Sequence, residues 1–126
     1  MKKLLLIFLI LLSSAVCAQS GPSILQINTI ATVAALKALK PTTTGTYAVV
    51  RGYFNDADGG GGVFFYNATS TATANDGTVI TPTGYTTGRW IRDVSTDAGF
   101  KCEWFGVIPN SGSDESARIQ NMIDSV

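Results

Sequence analysis

The sequence predicts a mainly β protein with two short helices, an α+β chain in which a small antiparallel meander precedes a terminal helix. Three observations carry that reading. Residues 46–94 hold four runs rich in β-branched and aromatic residues, separated by Gly, Asp, Asn and Thr turns. Apolar side chains recur at helical spacing only before and after that block. Behind the first 18 residues the chain is rich in Thr, Gly and Ser and weakly charged.

The chain begins "MKKLLLIFLILLSSAVCA" (1–18): Lys2 and Lys3, an apolar run from Leu4 to Leu12, then small residues ending at Ala18. This is the layout of a bacterial secretory signal peptide, and the run is shorter than the roughly 20 apolar residues a bilayer-spanning helix needs. Cleavage is expected after Ala18, with Val16 and Ala18 as the small flanking residues. Lipidation at Cys17 is the weaker reading, because Val16 stands where Ala, Gly or Ser is expected before a lipidated cysteine.

The whole chain has nine basic and nine acidic residues. Losing Lys2 and Lys3 with the leader leaves seven against nine, a net charge of −2 over the mature 108 residues. That balance offers nothing to nucleic acid, and after cleavage no segment remains to hold the chain at a membrane. Localisation is therefore expected to be extracellular or periplasmic. Cys102 is then the only cysteine, expected as a small buried apolar residue. The chain contains no histidine, which removes Ser-His-Asp and Cys-His catalysis and the commonest metal ligand. No cofactor and no metal are expected.

In the mature chain, residues 19–28 read as an extended arm. "TIATVAALKAL" (29–39) places Val33, Leu36 and Leu39 on one side and is stopped by Pro41, which predicts a helix capped by Thr29 or Thr32. Strands are predicted at "TYAVVRGYF" (46–54), "GVFFYNA" (62–68), "GTVITP" (77–82) and "GRWIRDV" (88–94), with "CEWFGV" (102–107) as a last strand leading out. The glycine run "NDADGGGG" (55–62) is followed by a strand rather than by a Lys-Ser/Thr and a helix, so it is not a phosphate loop. Asp56 and Asp58 lack the later ligands of a calcium loop, which leaves a glycine-permitted hairpin connection. Phe64, Trp90 and Phe105 are expected in the core. Tyr53, Tyr66, Tyr85 and Trp90 are the candidate platforms on which a sugar ring could stack.

The last stretch, "SGSDESARIQNMIDSV" (111–126), predicts a second helix with Ser113 as N-cap and Asp114 and Glu115 at its positive end. Asp114 and Glu115 are adjacent and so do not face one another as an acid/base pair. Ile119, Met122, Ile123 and Val126 fall at i, i+3, i+4 and i+7, one apolar stripe.

Three pieces together carry a family resemblance: "GYFNDADGGGGVFFY", "NDGTVI" with "GRWIRD", and "WFGV" leading to "SDESARIQNMID". The combination, from about Ala34 to the last residue, resembles the module that precedes the right-handed parallel β-helix in phage tailspikes and in secreted proteins of the pectate lyase superfamily. Pro109-Asn110-Ser111 replaces the family's Gly-Asp-Gly, while Asp114, Ile119, Gln120 and Ile123 keep matching places. The resemblance implies a small tailspike-like module at 29–101 and, at 102–126, the lead-in strand and capping helix of a β-helix whose coils are absent. It further implies that Ser113, Asp114, Ile119, Gln120 and Ile123 form a structural cap, that polysaccharide is the partner, and that the chain assembles as a homotrimer. Catalytic groups of such proteins sit on the coils, so no catalytic residue is assigned. The alternatives are a free-standing secreted glycan-binding module and a polysaccharide lyase or glycoside hydrolase. The leader favours an exported bacterial protein over a virion part.

Overall fold

The computed structural model describes residues 27–126 except 96 and 98; the leader, its cleavage site, Cys17 and residues 19–26 lie outside the described residues. Five strands, β1 (Ile27–Thr32), β2 (Tyr47–Gly52), β3 (Gly62–Asn67), β4 (Val79–Ile80) and β5 (Arg89–Arg92), form one sheet in the order β1-β2-β3-β5-β4. Helix α1 (Val33–Ala38) joins β1 to β2; a 3-10 helix (Cys102–Phe105) and helix α2 (Ser116–Ile123) follow the sheet. The chain is thus mainly β with two short α-helices, as expected.

Strands β2, β3, β5 and β4 pair antiparallel. β4 is reached in sequence before β5 but lies outside it, so the chain passes over to the edge and returns by a hairpin. β1 adds a parallel neighbour to β2, pairing Ile27 with Tyr47 and Ile30 with Val50.

That strand corrects the first expected helix. Residues 27–32 alternate Ile, Asn, Thr, Ile, Ala and Thr, rich in β-branched side chains, and they satisfy their backbone on β2 instead of on themselves. The helix is therefore confined to six residues. Thr32 caps it, its Oγ1 accepting the Ala35 N–H at 3.2 Å, and Leu39 leaves the helical region two residues before Pro41. Ile27 and Asn28, expected in the arm, open the strand.

One face of the sheet is the core: Ala48, Val50, Phe64, Tyr66, Ile80 and Trp90, closed by Val33 and Leu36 of α1. Phe64 and Trp90 are buried as expected, and so is Phe105.

The predicted last strand is instead the 3-10 helix. Trp104 and Phe105 are consecutive and both buried, which a strand with one covered face cannot achieve because neighbours point to opposite sides. Gly106, at φ +79°, ends the turn, its N–H donating to the Glu103 carbonyl at 3.1 Å. Cys102 is half-buried at the start of this turn rather than in the core.

Candidate functional site

The glycine run between β2 and β3 is held from two sides. Asp58 sits inside the loop, and its carboxylate accepts four backbone N–H groups: Tyr53 at 2.8 Å, Phe54 at 2.7 Å, Asn55 at 2.9 Å and Gly60 at 2.9 Å. Burial pushes this carboxyl up, but the four donors outweigh it and hold it below the ordinary aspartate range. Asp56 pairs with Arg51 on the loop's outer side. Among the described residues no His, Cys, Asp and Glu cluster to hold a metal ion.

From the other side comes Arg92, the only buried charged side chain among the described residues. Its guanidinium donates to the carbonyls of Gly60 (2.9 Å), Gly61 (2.6 Å) and Gly77 (2.9 Å). Its plane lies between two rings, 4.5 Å from the centroid of Phe64 and 4.7 Å from that of Trp104. Burial pulls its pKa down to about 10, so it stays protonated at neutral pH. A Cβ on Gly61 would lie 2.6 Å from the Val50 carbonyl oxygen, and the run is glycine because backbone passes that close to backbone. Arg92 thereby joins β5, the glycine run and the 3-10 helix into one unit. The sequence carries a partial signal for this, since Arg92 shares a strand face with Trp90, but the carbonyls it serves lie in distant turns.

Helix α2 packs against the 3-10 helix, and Arg118 lies 5.3 Å from the Phe54 ring centroid while pairing with Glu115. No side chain of α2 is buried. Ile119, Ile123 and Val126 are 37%, 55% and 90% exposed and Met122 is half-buried, so the predicted apolar stripe is only partly covered by the described residues and is most open at Ile123 and Val126. Beside it an open cleft of about 460 Å³ is lined by Val94, Asp97, Gly99, Phe100, Met122 and Val126.

The N-cap of α2 differs from the expected Ser113. The helix begins at Ser116, and Asp114 supplies the end contact, its Oδ1 accepting the Ser116 N–H at 2.9 Å. Ser113 does not cap; its N–H donates to Ser111 Oγ at 3.1 Å. Ser111 also reaches Glu115, so a local turn network takes the serines before the helix begins. Gln120 donates to Asp124 at 2.8 Å on the exposed surface.

The four candidate sugar platforms are not brought together. Tyr66 and Trp90 are buried side by side, ring centroids 5.3 Å apart, and offer no open ring face for stacking. Tyr53 and Tyr85 are half-buried, and the Tyr85 hydroxyl donates to the Pro41 carbonyl at 3.2 Å. Three carboxylates are held in ion pairs: Asp76 with Lys37, Asp97 with Lys101 and Glu115 with Arg118.

A feature not anticipated from the sequence lies on the outer sheet face. Ile27, Tyr47, Phe65, Ile91 and Val79 are register partners in succession, an apolar row across all five strands, with Val49 and Val63 beside it. Tyr47, Phe65, Ile91 and Val79 are half-buried, Val63 is 39% exposed and Ile27 56%.

Comparison with known proteins agrees with this architecture. Residues 29–96 match the family model described as a phage tail protein small four-stranded β-sheet domain. No curated protein matches the chain. Among solved structures, the tailspike gp49 of Acinetobacter baumannii bacteriophage Fri1, a capsular polysaccharide depolymerase, superposes with a TM-score of 0.67 at 24% identity over 78% of this chain and 17% of its own. Pantoea stewartii WceF, described as a glycan biofilm modifying enzyme with a bacteriophage tailspike-like parallel β-helix fold, gives 0.67 at 22% identity over 78% of this chain and 14% of its own. The tailspike of Acinetobacter baumannii phage AM24 gives 0.60 at 27% identity over 76% and 15%. The chain thus spans about a sixth of the length of these relatives. The four antiparallel strands β2, β3, β5 and β4 lie inside a match that covers more than half of the chain, and the chain belongs to the family of phage tail protein small four-stranded β-sheet domains.

Proposed function

We propose that this chain is the N-terminal structural connector of a secreted bacterial protein whose remainder is a pectate lyase-like right-handed parallel β-helix acting on or binding polysaccharide. The observation that carries the reading is the partly covered apolar stripe, most open at Ile123 and Val126, on a helix already anchored to the module through Arg118 and the 3-10 helix. Covering such a stripe stabilises by roughly 1.5–3 kcal/mol per large side chain, and the end of a β-helix needs the reciprocal cover for its stacked apolar residues and free backbone groups. The relatives described as a polysaccharide depolymerase and a glycan-modifying enzyme support polysaccharide as the substrate class of the whole protein. Chemistry would then reside on the coils, and this chain would hold no complete active site.

The deciding observation is the DNA sequence beyond the Val126 codon. An open frame encoding short strands at coil spacing supports the connector; an immediate stop codon sinks it. Export is tested by the mass of the mature protein, which begins at Gln19 in this reading and carries no lipid.

The proposal includes a homotrimer, for which the apolar row on the outer sheet face is the interface candidate, since uncovered patches of this kind mark association sites. Light scattering on the purified chain should give three times the monomer mass. Exchanging Tyr47 and Phe65 for Ser should return it to monomer, and an unchanged oligomer after that exchange would exclude this face.

A further inference from the structure

The chain contains two Asp–Gly pairs, Asp58–Gly59 and Asp76–Gly77. Such a pair can modify itself. Glycine has no side chain to keep its backbone nitrogen away from the neighbouring carboxyl group. The nitrogen attacks the Asp side-chain carbonyl carbon, the carboxyl oxygen leaves as water with the N–H proton, and a five-membered succinimide closes. Water then opens the ring. Opening at the side-chain carbonyl restores aspartate. Opening at the main-chain carbonyl leaves isoaspartate, in which the backbone runs through the side chain and is one carbon longer. Only water is lost and regained.

The structure separates the two pairs. Both carboxylate oxygens of Asp58 are engaged by the N–H groups of Tyr53, Phe54, Asn55 and Gly60, and turning them onto Gly59 would release the whole loop. Asp76 has a simpler tie, the Lys37 ammonium at 2.8 Å, and its side chain is 46% exposed. Asp76 also sits at φ +59°, a left-handed conformation uncommon for a residue with a side chain. The other reacting atom is held by Asn75, whose Oδ1 accepts the N–H of Gly77 at 3.1 Å together with those of Thr78 and Val79 at 2.9 Å each. The two atoms that would have to join are thus each held by a third residue, and local opening of this turn frees both.

We propose that Asp76 is a site of spontaneous isoaspartate formation, that Asp58 is spared, and that the modification loosens the seat of the 3-10 helix. The consequence follows from what Gly77 touches. Its carbonyl accepts Arg92 Nε at 2.9 Å, and it lies so close to Phe105 that a Cβ there would be 2.5 Å from the ring. One added backbone carbon displaces the glycine from both. Arg92 then loses one of its three carbonyls, and Phe105 loses the flat surface it rests on, in the turn against which α2 packs.

The test is to hold the purified full chain at neutral pH for weeks and locate isoaspartate residue by residue by electron-transfer fragmentation mass spectrometry. Isoaspartate should accumulate at residue 76 and not at residue 58 in the folded chain, and at both in urea. Lys37→Ala removes a surface ion pair and should raise the rate at residue 76 by up to about fivefold. Asn75→Ala should raise it at least about fivefold, the population gained when one typical hydrogen bond no longer holds the Gly77 N–H. Asn75→Asp keeps the acceptor oxygen and should stay within about twofold of the unsubstituted chain. The isomer, separated by chromatography under native conditions, should show tryptophan emission at longer wavelength as water reaches Trp104. Five results would each overturn the proposal: no isoaspartate at residue 76, equal rates at residues 58 and 76 in the folded chain, a rate unmoved by both Lys37→Ala and Asn75→Ala, Asn75→Asp reacting as fast as Asn75→Ala, or an isomer with the emission of the parent.

Discussion

Replacing Arg92 by Ala tests the organisation of the module most directly. The guanidinium serves three carbonyls, of which those of Gly60 and Gly77 belong to buried residues, and it separates the rings of Phe64 and Trp104. An orphaned buried carbonyl costs about 1–3 kcal/mol, and each desolvated cation–π contact contributes roughly 0.5–2 kcal/mol. Against this stands the relief of no longer burying a charge, which burial already penalises enough to pull the pKa to about 10. The net expectation is a loss of about 3–5 kcal/mol, a large part of the roughly 5–15 kcal/mol that a domain of this size possesses. In a domain of about 100 residues that lowers Tm by at least about 12 °C.

Urea unfolding followed by circular dichroism measures the loss, while tryptophan emission reports whether Trp104 leaves its buried site. Arg92→Lys separates charge from geometry. It keeps the positive charge but loses the planar fork and both stacks, so about 1–3 kcal/mol should be lost. A loss below about 1 kcal/mol in Arg92→Ala with unchanged emission would refute the idea that Arg92 brackets the glycine run and the 3-10 helix.

The remaining predictions concern the loop and the partly covered helix. The folded-state pKa of Asp58 lies below its ordinary 3.8, so its contribution is present above that value and is lost as pH falls through the folded pKa. Asp58→Ala should accordingly cost about 1–3 kcal/mol at neutral pH, and the gap from the unsubstituted chain should close well below pH 3.8; a gap independent of pH in urea unfolding would contradict the ionised cap. Exchanging Ile123 for Ser should change the stability of the present chain by less than about 1 kcal/mol, because it is 55% exposed. In a chain extended by β-helix coils the same exchange should cost about 1.5–3 kcal/mol, the loss of one buried large side chain, and equal small effects in both contexts would remove the capping role.

What the sequence reveals depends on whether the deciding interaction is local. Strands β2, β3 and β5 are legible because "AVV", "VFFY" and "WIR" combine β-branched and aromatic side chains with a two-residue alternation, which also places Phe64 and Trp90 on the core face. β1 is not legible, since "TIATVAALKAL" runs from strand to helix without a break and its first half is fixed by pairing with a strand about twenty residues away. The 3-10 helix hides for a related reason: "CEWF" has strand composition, and only the simultaneous burial of Trp104 and Phe105 excludes a strand. Among the candidate site residues, Ile119 and Ile123 lie on the stripe that periodicity placed them on. Aromaticity alone could not separate the half-buried Tyr53 and Tyr85 from the buried Tyr66 and Trp90. Ser113 was displaced as cap by competition among neighbouring polar side chains, which spacing does not rank.

These parts fit one mechanical logic. The core cluster of the sheet takes Val33 and Leu36 from α1 and no residue from α2, and α2 buries none of its own side chains. Its orientation must therefore come from the 3-10 helix and from the Phe54 contact of Arg118. Both of those depend on Arg92 and Asp58, which fix the loop bearing Phe54 and the turn bearing Trp104. A connector that presents an apolar stripe to a following domain needs such a device, because a stripe on a loosely tethered helix would first have to be ordered at an entropic cost before any burial could be gained. The two charged groups that contribute least to an ordinary hydrophobic core are thus the ones that hold α2, the surface the proposed connector would present, in place.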